Sequence, residues 1–148
     1  MVRGSVKAVM KLNRLSLLVV LCLCAVPVPA LPDATCDANY AQAVIRQGFS
    51  YLDAHDWADA KLIGTRLAAY TGNCNSNFKV QNPTAVYAMY FVAYSEHEMG
   101  DDAHAEEAVA AGLRTLEQLK AQGGYESLYD NVRPLFVEVQ GKIAGHYQ

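Results

Sequence analysis

The chain has 148 residues, 52% of them hydrophobic and 18% charged, with a formal net charge of −3. That length supports one domain with a modest core and excludes two. The acidic balance excludes a phosphate-tracking surface, because nucleic-acid binding needs a basic patch.

The first thirty residues read as a cleavable export signal. Lys11 and Arg14 stand directly before Leu15 to Val26, a run almost without polar atoms, and Pro27-Val-Pro-Ala30 follows. Positive, apolar and small-residue segments in that order are the parts of a signal peptide. Cleavage is expected after Ala30, with Ala34 a second site, and residues 31–148 form the single mature domain. The apolar run is shorter than the roughly 20 residues of a membrane span, so no stable membrane anchor is expected. Arg3 and Lys7 lie well upstream of the run, which makes Met10 a candidate start. All four N-terminal basic residues leave with the signal, so eight Lys and Arg remain against fifteen Asp and Glu, a net charge of −7. A chain this acidic steers basic partners toward itself. Cys22 and Cys24 leave too, and Cys36 and Cys74 remain. An even pair in an oxidising compartment is expected to form one disulfide. The location expected is the periplasm, or outside the cell.

Ala, Leu, Glu and Gln dominate the mature chain, and no alternating β-branched run appears, so the class expected is all-α. A first helix spans about Asp37 to Asp53, with Tyr40, Val44, Phe49 and Leu52 on its apolar side. Asp56 caps a second helix, Trp57 to about Thr71, which Gly72 is expected to end. The two-residue break between them implies an antiparallel hairpin. Cys36 and Cys74 then fall at the hairpin's open end, where a disulfide would staple it. A polar connection from Gly72 to Pro83 follows, full of turn formers. Thr84 is expected to cap a third helix to Met99, and Gly100 to stop it. Asp101 or Asp102 caps a fourth, running to about Ala121 before Gly123-Gly124. The last segment, Tyr125 to about Ala144, is amphipathic but holds Pro134, which predicts either a kink or a fresh turn there.

Gly48, Tyr51, Trp57 and Ala60 sit at the spacing of the small, aromatic, aromatic and alanine positions of a tetratricopeptide repeat. Ala93, Gly100 and Ala105 match the helix-crossing small residue, the turn glycine and the second-helix alanine of a second unit. Over Gln42 to Lys120 the chain therefore resembles that family, with departures: Ala60 and Ala105 are 45 positions apart, Glu96 replaces an aromatic, and Gly64 a large residue. The resemblance implies two antiparallel helix hairpins and a closing C-terminal helix in a short right-handed stack. It also implies a concave groove lined by Gln42, Ile45, Phe49, Leu52 and Asp53 and by Tyr87, Tyr90, Tyr94, His97 and Glu98. Independently of any family, Tyr87, Tyr90, Tyr94 and His97 recur along one stripe of one helix. Tyrosine offers large contact area and a hydroxyl, as interfaces favour. The same rings also suit core packing.

Catalytic chemistry is hard to find. The mature cysteines are expected to be paired, and none of Ser50, Ser76, Ser95 or Ser127 lies in a Gly-x-Ser-x-Gly elbow. No phosphate-cradling glycine loop is present. His97, His104 and Asp101 collect around one turn, but Gly100 interrupts the helix face they would share, so no metal is expected and the turn reads as solvated and acidic. The expectation is a non-enzymatic exported module that binds a protein or peptide partner without a cofactor. Phe49, Leu52, Tyr87, Tyr90, Tyr94 and His97 are its candidate groove residues. The alternatives are an inhibitor or immunity-type protein acting on a basic exported toxin or hydrolase, and a carrier of an apolar ligand between helices.

Overall fold

The computed structural model describes residues 37–78 and 83–146, the side chains of 75–78 excepted. The expected export segment, its Ala30 cleavage site, Met10 and Cys36 lie outside the described residues. Five helices and no strand make up the described part: α1 (Ala38–Asp53), α2 (Trp57–Phe78), α3 (Thr84–Glu98), α4 (Asp102–Gln122) and α5 (Glu126–His146).

The starts and stops of α1 follow from local chemistry. The Asp37 carboxylate accepts from the Asn39 amide at 2.8 Å and satisfies one of the orphan donors at the helix N-terminus. At the other end, His55 N–H donates to Leu52 O (3.0 Å) and Asp56 N–H to Tyr51 O (2.9 Å). This pair of bonds is a Schellman closure, with His55 in the left-handed region at φ 59°. Asp56 then turns round and caps α2, its carboxylate accepting from the Asp59 amide at 3.3 Å.

The same device recurs 45 residues later. Gly100, at φ 86°, donates to His97 O (2.9 Å), and Asp101 N–H donates to Glu96 O (2.8 Å). The Asp101 carboxylate caps α4 through the His104 amide at 3.2 Å. In each turn one aspartate both completes the closure of one helix and caps the next, so two adjoining helix ends are satisfied by three linking residues.

Two boundaries differ from the sequence expectation. Gly72 does not end α2, which continues to Phe78. A glycine costs a helix interior about 1 kcal/mol, and here the burial of Tyr70, Thr71 and Cys74 around it outweighs that cost. Cys74 therefore lies within α2, not beyond it. Thr84 is the first residue of α3 and not its cap. Pro83 holds that position without a side-chain hydrogen bond, and its carbonyl accepts from the Val86 amide at 3.1 Å. Pro134 is accommodated inside α5 without ending it. It sits on the exposed side, where water can take the Asp130 carbonyl that the missing amide leaves unpaired.

Helix α3 is the hub, packing against all four other helices, while α1 packs on α2 and α4 on α5. Its buried residues, among them Val86, Tyr90, Phe91, Ala93 and Ser95, surround the axis and do not form one stripe. A helix hydrophobic on all sides is a buried one. Phe91 is fully buried, edge-on to Phe49 at 5.1 Å between ring centroids. A methyl group at Gly48 of α1 would overlap its ring, and the α3 backbone lies so close to α2 that a methyl group at Gly64 would sit 2.9 Å from Ala88 O. Gly64, a departure from the repeat pattern, is thus explained by the closeness of α3. In the second half Phe136 of α5 covers Gly112 of α4 in the same way. The Phe136 contact completes a single stripe on α5 with Val132, Val139 and Ile143.

Gly64→Ala is expected to destabilise the fold by about 1–3 kcal/mol, since overpacking against a backbone carbonyl exceeds the helix-propensity gain of about 1 kcal/mol. Gly141→Ala, with nothing within 4 Å of the added methyl group, should stabilise by up to about 1 kcal/mol. Urea unfolding of the two variants measures both signs.

Candidate functional site

The aromatic residues singled out in the sequence come together, but not as a uniformly exposed stripe. Phe49 of α1 meets Tyr87 edge-on at 6.1 Å and Tyr90 at 6.0 Å. Tyr90 reaches Tyr94 at 5.9 Å and Phe136 at 5.9 Å, and Tyr94 continues to Trp57 at 5.8 Å. One continuous band of rings therefore crosses α1, α2, α3 and α5. Within it Phe49, Tyr87, Tyr94 and Trp57 are partly accessible, whereas Tyr90 is 5% exposed and Leu52 9%. Tyr90 is a core ring, and its loss would be felt first as lost packing. Leu52 also belongs to the core, on the buried stripe of α1 with Ala41 and Gly48.

Burial raises the hydroxyl pKa of two of these rings, Tyr90 and Tyr87. It pushes the Tyr90 hydroxyl up to about 12, with the negative charge of Glu138 adding to the effect. Tyr70 is raised by burial and by the Asp37 carboxylate, and its hydroxyl donates to Asp37 O at 3.0 Å.

Charge is laid along the same band by α5. Lys142 Nζ lies 4.2 Å from the Tyr94 ring centroid, donates to its hydroxyl at 2.6 Å, and pairs with Glu98 at 3.2 Å and Glu138 at 3.7 Å. Burial pulls this ammonium down, but the Tyr94 hydroxyl and the Glu98 carboxylate outweigh it and leave Lys142 above the usual lysine value. Glu96, standing where the repeat pattern expects an aromatic residue, is 7% exposed and pairs with Lys61 of α2 at 2.6 Å. An ion pair bridges α2 and α3 there, which is why a carboxylate is tolerated so deep.

His97 is 5% exposed and does not line an open groove. Its Nδ1 lies 2.7 Å from Asp102 Oδ1, and the other oxygen of that carboxylate is 3.2 Å from His146 Nδ1 at the end of α5. The two imidazole centroids are 4.6 Å apart. The His97 hydrogen bond holds the Asp102 carboxyl below its ordinary range, and His146 adds to the effect. The sequence grouping of His97, His104 and Asp101 is divided differently in space. His104 Nδ1 lies 2.6 Å from Asp101 Oδ2 in a separate exposed pair. In that pair the hydrogen bonds from His104 lower the Asp101 pKa, and the Asp101 carboxylate raises that of His104. Sequence reasoning missed His146, 44 positions from Asp102. Its only local signal is a histidine in the last turn of an amphipathic helix.

A cleft of about 520 Å³ lies between α4 and α5, lined by Val109, Ala110, Ile143 and Ala144 with Glu106 and Gln140. It is apart from the aromatic band. Among the described residues no helix is long and apolar enough to cross a membrane. No family model, curated protein or solved structure matches the chain.

The raised tyrosines make stability fall at alkaline pH. A group whose pKa is higher in the folded state contributes fully below its unfolded value, here 10.0, and that contribution is lost as pH rises toward about 12. Spectrophotometric titration of the nine tyrosines should show a late step that Tyr90→Phe removes. Titration of every tyrosine together near 10.0 would contradict this placement.

Proposed function

We propose that the chain is a non-enzymatic exported module that binds a protein or peptide segment across the partly accessible rings of Phe49, Tyr87, Tyr94 and Trp57. The observation that carries the reading is the continuity of that band over several helices, with an ordered cation and carboxylates beside it. Aromatic contact area ringed by polar groups is the composition of binding surfaces. The acidic balance of the mature chain and the carboxylates of Asp53, Glu98 and Glu138 favour a segment carrying basic side chains.

A tetratricopeptide-like arrangement fits the same observations. Each of two helix pairs is joined by a turn, the two turns repeat at an interval of 45, and α5 packs on α4 after them. On this reading α1, α3 and α5 are the groove-facing helices of a short right-handed stack of antiparallel hairpins. The inhibitor reading shares the charge argument but requires a folded basic enzyme in place of a linear segment.

A basic, aromatic-containing peptide selected from a display library is expected to lose about thirtyfold or more in affinity with Tyr94→Ala or Tyr87→Ala, the scale of an interface hot spot. Leu62→Ala, exposed on α2, should leave binding unchanged. Equal effects at Leu62 and Tyr94 would remove the aromatic band as the site. Binding only to folded basic enzymes, with steep salt dependence, would favour the inhibitor.

Export and the Cys36–Cys74 bond belong to the same proposal. Tyr70, one turn before Cys74, donates to the carbonyl of Asp37, the residue after Cys36, so the chain on either side of the bond is already held together. Cys74 is 2% exposed and does not stand without a partner. Non-reducing intact-mass measurement of exported material should give a chain that begins at Leu31 and is two hydrogens lighter than its dithiol. Two free thiols would refute the bond, and an intact Met10 would refute the cleavage.

A further inference from the structure

We propose that His97, Asp102 and His146 form a zinc-binding site that clamps the end of α5 onto the turn between α3 and α4. Three helices each supply one residue, and the ligand atoms they offer all lie within 4.8 Å of one another. Both imidazoles turn Nδ1 toward the one carboxylate, His97 at 2.7 Å from Oδ1 and His146 at 3.2 Å from Oδ2. Tetrahedral zinc with bonds of about 2.0–2.1 Å keeps neighbouring ligand atoms roughly 3.3 Å apart, a spacing within the range of this trio. The closure required falls mainly on His146. It lies in the last turn of α5, and its side chain is 59% exposed.

The donor chemistry selects the ion. Two neutral imidazoles and one carboxylate suit a borderline divalent cation such as zinc, whereas calcium and magnesium take oxygen donors. Three protein ligands leave a fourth position for water or for a group brought by a partner. Binding a dication between the two imidazoles and the carboxylate displaces whatever protons they share, so affinity falls as acid is added.

The internal repeat provides a second argument. The turn that closes α1 places Leu52 and Trp57 at the positions where the turn closing α3 places His97 and Asp102. Leu52 and His97 are both buried. The backbone device is therefore built once with apolar residues, and closing the turn does not require polar ones. Burying an imidazole costs stability unless it is partnered, and Asp102 alone would partner His97. Turn closure leaves unexplained why a second imidazole, from the far end of α5, converges on that carboxylate. A shared cation explains it.

Occupancy would also act on the aromatic band. Lys142, one turn before His146, is the residue that covers Tyr94 and pairs with Glu98, so fixing the end of α5 fixes Lys142. This link rests on the partner-binding reading, whereas the zinc site itself does not.

The test uses the purified, tag-free chain, stripped of metal by chelation and titrated with Zn²⁺ by calorimetry and with Co²⁺ by visible absorption. The expected result is about one equivalent of saturable binding, a tetrahedral Co²⁺ spectrum, and a melting temperature that rises with zinc. His146→Ala, whose side chain is largely exposed, should preserve the metal-free fold by circular dichroism. It should weaken zinc by at least about a hundredfold, more than is usual for losing a merely supporting residue. His104→Ala, which removes the neighbouring exposed pair, should leave binding unchanged. Absence of saturable binding, or binding that survives His146→Ala, overturns the site. If zinc binds but occupancy leaves peptide affinity unaltered, the clamp on α5 stands and only its link to the aromatic band is lost.

Discussion

The approach of α3 to α1 and α2, made possible by the absence of side chains at Gly48 and Gly64, is the constraint on which the rest of the molecule depends. With the Phe91 ring occupying that space, α3 lies surrounded by its neighbours, and its charged groups find partners within the protein, although the buried Ser95 hydroxyl has none. Glu96 takes Lys61 and His97 takes Asp102. Tyr94, partly accessible, takes Lys142. These electrostatic contacts follow from the packing, since they lie on a helix whose position was set by apolar surface. Their combined effect is to attach α2, α4 and α5 to the hub by polar bonds as well as by burial.

The elements closed by local chemistry were the most legible from sequence. Asp56, Gly100 and Asp101 each act within a few residues of themselves, so their roles can be read without knowing what packs where, and Asp37, expected inside α1, caps it by the same local chemistry. The extent of α2 was not legible, because Gly72 and the polar residues after it describe a helix end in every local respect. What carries the helix onward is the burial of Cys74 and Tyr70, a tertiary effect. The tyrosine stripe was visible as a pattern and ambiguous as a role. A period of three and four fits a groove helix and a central helix equally well, and only the packing on several sides of α3 separates Tyr90 in the core from Tyr94 at its edge.

Contacts between residues distant in sequence were least legible. His146 reaches Asp102 and Lys142 reaches Tyr94 across 44 and 48 positions, and no periodicity encodes such a meeting. The Phe136–Gly112 contact is of the same kind: Phe136 stands 45 residues after Phe91, the interval that also separates Asp56 from Asp101, but Gly112 stands 45 residues after Leu67, so the interval marks the ring and not the glycine it covers. The recurring turn lets a local closure be anticipated 45 residues on, whereas the packing between helices does not follow from it.

That interval also sharpens where function should be sought. Positions that hold equivalent places in both halves, such as Ala60 and Ala105 or Asp56 and Asp101, carry the frame and need no further explanation. Positions at which the halves differ are informative in proportion to the cost of the difference. Tyr51 against Glu96 and Leu52 against His97 both replace an apolar or amphipathic side chain with a more polar, deeply buried one, and burying charge is expensive even when paired. The first turn has no such pairs and closes with the same hydrogen bonds. The cost borne at the α3–α4 turn is therefore not one the fold requires. That turn, with the end of α5 lying over it and Lys142 beside it, buries paired polar groups that its counterpart 45 residues earlier closes without.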